Sequence, residues 1–130
     1  MLDKWKRMES LIIEAQQDTP SVIFDKGTNT FMIANRSYPE DAIEFYRPVL
    51  SWLRDYIKEP NERTIFDFKL DYFNTTSSKQ ILKMMLLLEQ LGKSNDVIIR
   101  WHYKKFDKEL LNHGEIFSKI INVPFELIDF

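Results

Sequence analysis

The 130-residue chain has no cysteine, only three glycines and no long apolar run. Without thiols it can form no disulfide, no thiolate nucleophile and no cysteine-based metal site, and an intracellular location, cytoplasmic by default, is expected. Three glycines leave no material for a phosphate-cradling glycine-rich loop. No stretch approaches the roughly 20 apolar residues of a membrane span, so no membrane association is expected. The N-terminal "MLDKWKRMESLIIEA" scatters charges where a signal peptide would place an apolar core. A surplus of one charge sign is missing too: 18 Lys and Arg against 20 Asp and Glu leave a net charge of −2, which argues against a nucleic-acid partner. What is present is 44% apolar residues, enough for one domain, residues 1–130, with a real core.

Short β-branched and aromatic segments open the chain: "SLIIEA" (Ser10–Ala15), "SVIFD" (Ser21–Asp25) and "TFMIAN" (Thr30–Asn35). They read as strands, the last two joined by a hairpin whose turn contains Gly27 and Asn29. From Ala42 to Ile57, Phe45, Val49, Trp52, Leu53, Tyr56 and Ile57 recur at helical spacing. Pro48 lies inside that pattern and predicts a kink near Arg47 or two abutting helical pieces. "RTIFDFKLDY" (Arg63–Tyr72) alternates, with Phe66, Phe68, Leu70 and Tyr72 on one face and Asp67, Lys69 and Asp71 on the other. "DVIIRWHY" (Asp96–Tyr103) repeats that pattern. Between them, Ser77–Gly92 carries the stripe Ile81, Met84, Met85, Leu88 and Leu91, with Gly92 expected just past the helix end. A last amphipathic segment, Lys108–Ile121, whose apolar face is formed by Leu110, Leu111, Ile116, Phe117, Ile120 and Ile121, leads to a strand over Pro124–Phe130. Alternating strands are the signature of a sheet covered on one side. The expected fold is therefore α/β, a single mixed β-sheet with helices packed mainly on one face, in the order β-β-β-α-β-α-β-α-β.

Most candidate chemistry has a sufficient structural account. His102 and His113 lack any HExxH-type neighbour, so no metal site is expected. Asp67 and Asp71 belong to a wet strand face. Trp52 and Trp101 fall on core faces, which leaves Trp5 and sets aside stacking on single-stranded nucleic acid. No cofactor is implied. An alternative from another class is a small enzyme or ligand-binding domain using Asp67, Arg100 and His102 on the open sheet face.

The stretch "DYFNTTSSKQIL" (Asp71–Leu82) is different, because it sets four hydroxyls, Thr75 to Ser78, at a strand-to-helix junction. Ser77 and Gln80 satisfy the S/T-x-x-E/Q capping box, and Phe73 and Ile81 are natural core anchors. One cap explains one hydroxyl, and Thr75 and Thr76 remain without structural work. A phosphoryl group there would bring a charge of roughly −2 to a helix N-terminus that tolerates an anion, while changing the surface a partner meets. Spacing does not separate Thr75 from Thr76.

"DTPSVIFD" (Asp18–Asp25), "RSYPEDAIEFYRPVLSWL" (Arg36–Leu53), "LDYFNTTSSK" (Leu70–Lys79), "VIIRWHY" (Val97–Tyr103) and "VPFELI" (Val123–Ile128), in that order, resemble the SiaC-type regulatory phosphoproteins. That family is similar in plan to STAS or SpoIIAA-like anti-sigma-factor antagonists. The resemblance implies phosphorylation of the threonine directly after the asparagine, here Thr75, with Thr76 and Ser77 as alternates. It also implies a non-catalytic partner switch: a Ser/Thr kinase adds the phosphate and a PP2C-type phosphatase removes it. The unphosphorylated form would bind and activate a GGDEF diguanylate cyclase, raising cyclic di-GMP. Asn74, Thr76, Ser78 and Lys79 would belong to the partner-binding surface. An anti-sigma kinase as partner is the closest alternative, and a homodimer through the uncovered sheet stays open. Asp41 departs from the asparagine expected in the "RSYPEDA" stretch.

Overall fold

A computed structural model describes residues 8–130; Trp5 and the rest of the first seven residues lie outside it. Among the described residues the elements run β1 (Leu11–Ile13), β2 (Ser21–Asp25), β3 (Thr30–Ser37), α1 (Ala42–Tyr56), β4 (Arg63–Phe73), α2 (Thr75–Gly92), β5 (Asp96–Tyr103), α3 (Lys108–Ile120) and β6 (Phe125–Asp129). This is the expected order. The strands lie side by side as β1-β2-β3-β4-β5-β6 in one sheet. β1 to β3 are antiparallel, and β3 to β6 are parallel. Each parallel strand sits one step beyond the last, so crossovers of constant hand return their helices over the same face.

The buried positions follow from this arrangement. Phe24, Phe31, Phe66, Phe68, Ile99 and Trp101 lie on the covered face, while Met32, Asp67, Lys69, Arg100 and His102 occupy the other. Trp52 and Tyr56 of α1 stack at 5.4 Å, and Phe31 packs on Tyr56 at 4.8 Å. The polar ends of these aromatics are satisfied: Trp52 Nε1 donates to the Glu9 carbonyl at 2.7 Å, and Trp101 Nε1 to the Leu110 carbonyl at 3.0 Å. The turn between β2 and β3 is closed by Asp25, which accepts from Gly27 N and Thr28 Oγ1, and Asn29 takes the left-handed conformation there at φ 55°.

Four local expectations are corrected. α1 runs unbroken through Pro48 rather than as two pieces. Pro48 faces solvent, so the Glu44 carbonyl that loses its helical donor can turn to water. Gly92 is the last residue of α2, without a left-handed φ; it is small because a Cβ there would meet Val123 Cγ1 at 2.7 Å. In α3, Ile116 and Ile120 are exposed, and Gly114 takes the place against the sheet between Leu110 and Phe117.

The fourth correction matters most. Tyr72, expected in the core, is 43% exposed, and Phe73 is buried instead. Asn35 pairs with Leu70 but Arg36 pairs with Tyr72, so Asp71 is an extra residue in β4. A bulge of one residue reverses the facing of everything after it. Opposite the bulge, Asn35 adopts φ 78°, a left-handed conformation that asparagine tolerates better than most residues. Phe73 then meets Trp101 edge-on at 5.8 Å, which anchors the junction to the core as its apolar character implied.

Gly114 allows α3 its close approach to the sheet, because a Cβ would collide with the Trp101 ring and lie 2.8 Å from Leu127 Cδ2. Gly114→Ala is expected to destabilise the fold by about 1–3 kcal/mol despite its better helix propensity. A urea midpoint at or above that of the unsubstituted chain would refute this packing argument.

Candidate functional site

The junction between β4 and α2 is held by side chains from three elements. Asn74, rather than Ser77, caps α2: its Oδ1 accepts from Ser77 N at 2.9 Å, and its backbone is extended. The expected capping box fails because Ser77 already lies in the first turn and is fully buried. Ser77 Oγ donates to the Ser37 carbonyl at 3.2 Å and accepts from Ser37 Oγ at 2.8 Å. The Ser37 hydroxyl gives its only proton to Ser77, so the 2.6 Å contact between Ser37 Oγ and Tyr46 Oη must be donated by tyrosine. The Ser37 carbonyl also receives Asn74 N at 3.2 Å. Ser37, Tyr46 and Ser77 are all fully buried, and no buried side-chain polar atom among the described residues is left unpaired.

This accounting separates the four hydroxyls. Ser77 is committed to the buried network. Ser78 Oγ donates to the Thr75 carbonyl at 2.7 Å, and Thr76 Oγ1 donates to Asn74 Oδ1 at 3.2 Å. Thr76 therefore has structural work after all. Thr75 is exposed, and its hydroxyl makes no hydrogen bond among the described residues. Lys79 follows one helical turn later and is exposed, and Gln80 is buried. α2 has no acidic residue in its first turn, unlike α1 with Glu44 and α3 with Glu109. Its positive dipole end has no carboxylate from its own first turn. The start of α1 lies alongside: Glu40, Asp41, Ala42 and Ile43 line a recess with Thr76. Asp41 caps α1 by accepting from Glu44 N at 3.1 Å, a role that aspartate and asparagine fill equally.

The bulge builds a second feature at the end of β4. Tyr38 and Tyr72 stack at 5.9 Å, each nearly half exposed. The Arg36 guanidinium lies 5.3 Å from one ring centre and 4.8 Å from the other, and Asp18 holds it at 3.2 Å. Sequence reading passed over Ser37, Tyr46, Arg36 and Tyr38, although all lie in "RSYPEDAIEFY", a stretch that carries the family resemblance. Tyr46 hides there beside Phe45 as one more aromatic of α1.

The alternative group on the open face is internally paired. His102 Nε2 lies 2.7 Å from Asp67 Oδ1, and Arg100 is bonded to Glu126 at 3.1 Å. Among the described residues no cluster of three or more metal-ligating side chains exists, and no helix is long and apolar enough to cross a membrane.

Burial pushes the Tyr46 phenol up from 10.0 to about 12. The folded chain thus holds this proton more tightly than the unfolded chain. The associated stability is complete below about pH 10 and is lost as pH rises towards 12. Tyr46→Phe is expected to flatten that alkaline limb in a plot of denaturation midpoint against pH; an unaltered limb would contradict the assignment.

Known proteins match this geometry along nearly its whole length. SiaC of Pseudomonas aeruginosa superimposes with a TM-score of 0.86 at 28% identity, covering 95% of this chain and 100% of that one. The SiaC structure determined in complex with diguanylate cyclase SiaD, whose activator it is, gives 0.87 at 26% identity over 92% of this chain and 99% of that one. An uncharacterised protein of P. aeruginosa strain UCBPP-PA14 is 27% identical over 121 residues, 92% of this chain and 96% of the relative. The family described as SiaC family regulatory phosphoprotein matches residues 13–130. With β2 to β6, the three helices and the junction all within that match, the chain belongs to the SiaC family of regulatory phosphoproteins.

Proposed function

We propose that the chain is a non-catalytic partner switch toggled at Thr75, binding and activating a GGDEF diguanylate cyclase when unphosphorylated. The observation that carries the site is the hydrogen-bond accounting at the junction: of four consecutive hydroxyls, Thr75 alone is both exposed and uncommitted. A serine/threonine kinase would join the Thr75 oxygen to the γ-phosphorus of ATP. The bond to ADP breaks, and the hydroxyl proton passes to a base on the kinase. A PP2C-type phosphatase reverses the state by hydrolysis.

The junction can carry the added charge without refolding. The free dipole end of α2 favours an anion, and Lys79 is placed at i+4 from Thr75, where opposite charges support a helix. A partner fitted to the neutral hydroxyl would instead have to accommodate a dianion. Desolvation and like-charge repulsion can together cost several kcal/mol.

The contact surface in this reading comprises Asn74, Thr76, Ser78 and Lys79, extended by the Tyr38–Arg36–Tyr72 stack. Tyrosine and arginine are among the residue types that most often dominate binding, and this stack is already assembled in the free chain.

Tandem mass spectrometry after incubation with the cognate kinase and ATP is expected to place phosphate on Thr75; phosphate solely on Ser77 or Ser78 would sink the assignment. Phosphorylation is expected to weaken cyclase binding about a hundredfold, equivalent to ~2.7 kcal/mol. Thr75→Ala should retain binding, and Thr75→Asp should lose a smaller factor because it supplies one charge rather than two. Tyr72→Ala is expected to cost at least about tenfold in affinity, a typical interface hot-spot loss. Calorimetry showing unchanged affinity would remove the stack from the contact surface.

A further inference from the structure

We infer that Ser37 and Tyr46 are positioning residues that select Thr75 as the phosphate acceptor by sequestering Ser77 and fixing the first turn of α2. The inference rests on the reading of Thr75 as the modified residue. Four consecutive hydroxyls offer a kinase four chemically similar nucleophiles, so the selection has to be structural.

Ser37 is the hub. Its carbonyl receives Asn74 N and Ser77 Oγ, and its own hydroxyl, held by Tyr46, donates to Ser77. Ser77 Oγ thus engages Ser37 twice, once as donor and once as acceptor. To attack a γ-phosphorus, that oxygen would have to leave a fully buried site and release its proton from the Ser37 carbonyl. Ser37 and Tyr46 would then hold two hydroxyl protons with one acceptor between them, and an unpaired buried polar group is disfavoured. The same carbonyl fixes Asn74, and Asn74 Oδ1 in turn holds both Ser77 N and the Thr76 hydroxyl. Two of the three competing hydroxyls are therefore restrained through a single strand-end residue. Tyr46 ties that residue to α1, so the acceptor's orientation is set by β3 and α1, not by α2 alone.

In phosphoryl transfer from ATP, the acceptor oxygen bonds to the γ-phosphorus as the bond to ADP breaks, and the acceptor proton goes to the kinase base. The balance is identical at Thr75 and at Ser77. Only access differs.

The test is site occupancy by tandem mass spectrometry after treatment with the cognate kinase and ATP, with the unsubstituted chain, Tyr46→Phe and Ser37→Ala in parallel. The unsubstituted chain is expected to carry phosphate on Thr75 alone. Each variant should raise the share on Ser77 or Thr76 at least about tenfold, the ratio that ~1.4 kcal/mol of lost selection yields. Adding Ser77→Ala to Tyr46→Phe should abolish the Ser77 share while leaving Thr75 phosphorylated. Phosphate confined to Thr75 in both variants, despite lowered denaturation midpoints, would overturn the selection role. Amide exchange in the unsubstituted chain supplies a check that needs no variant to fold. The Ser77 amide is expected to be protected as strongly as the strand amides of β4, and fast exchange there would also overturn the inference. Absence of phosphate on Thr75 in the unsubstituted chain would instead strike down the underlying reading.

Discussion

Ser37 commits both of its oxygens to the start of α2, and the geometry of the junction depends on that contact. The residue ends β3, faces Phe73 of β4 across the parallel ladder, and is closed off from solvent by Tyr46. In water its hydroxyl and carbonyl would exchange partners freely. In the interior they have only Ser77, Asn74 and Tyr46, and the loss of any one would leave an unpaired polar group. A buried network that is fully satisfied holds a single arrangement, and this one places a threonine at the exposed end of a helix.

The bulge at Asp71 makes that contact available. With strict alternation through residue 73, Tyr72 would face the helices and Phe73 the open side. The extra residue brings Phe73 against Trp101 and sends Tyr72 out to Tyr38 and Arg36. One backbone irregularity therefore anchors the turn that leads into α2 and prepares an aromatic surface at the end of β4. Asn35, in a left-handed conformation across the ladder, is the local conformational cost. The charge pattern supports the same proposal: α1 and α3 carry an acidic residue in the first turn and α2 carries none, so its dipole end has no carboxylate from its own helix.

Much of the fold was legible because period-2 and period-3.6 patterns follow directly from which faces are wet. The strands around Phe66, Phe68 and Ile99, the stripe from Ile81 to Leu91 and the one-sided sheet all come from that rule. Where it failed, a neighbour outside the pattern had decided the matter. Tyr72 was misplaced because a bulge adds a residue without altering composition. Ser77 with Gln80 and Asn74 with Ser77 are both sound capping spacings, three residues apart, so local sequence does not separate the two caps. Pro48 suggested a kink or two abutting pieces, and one continuous helix runs through it because an exposed proline leaves the freed carbonyl to water. The pairing of Ser37 with Ser77 joins positions 40 residues apart and has no local signal.

The sequence by itself determined the order of elements, the side of the sheet that is covered and a helix start crowded with four hydroxyls, because these depend on local periodicity and side-chain chemistry. It left Thr75 and Thr76 equivalent in spacing, with family resemblance alone choosing between them. The tertiary structure supplied an independent distinction: Ser77 lies buried against Ser37, Thr76 is tied to Asn74, and Thr75 alone faces solvent with its hydroxyl free of partners among the described residues. Whether a hydroxyl is available depends on what surrounds it, and those surroundings come from β3 and α1, elements distant in the chain that only folding brings to the start of α2.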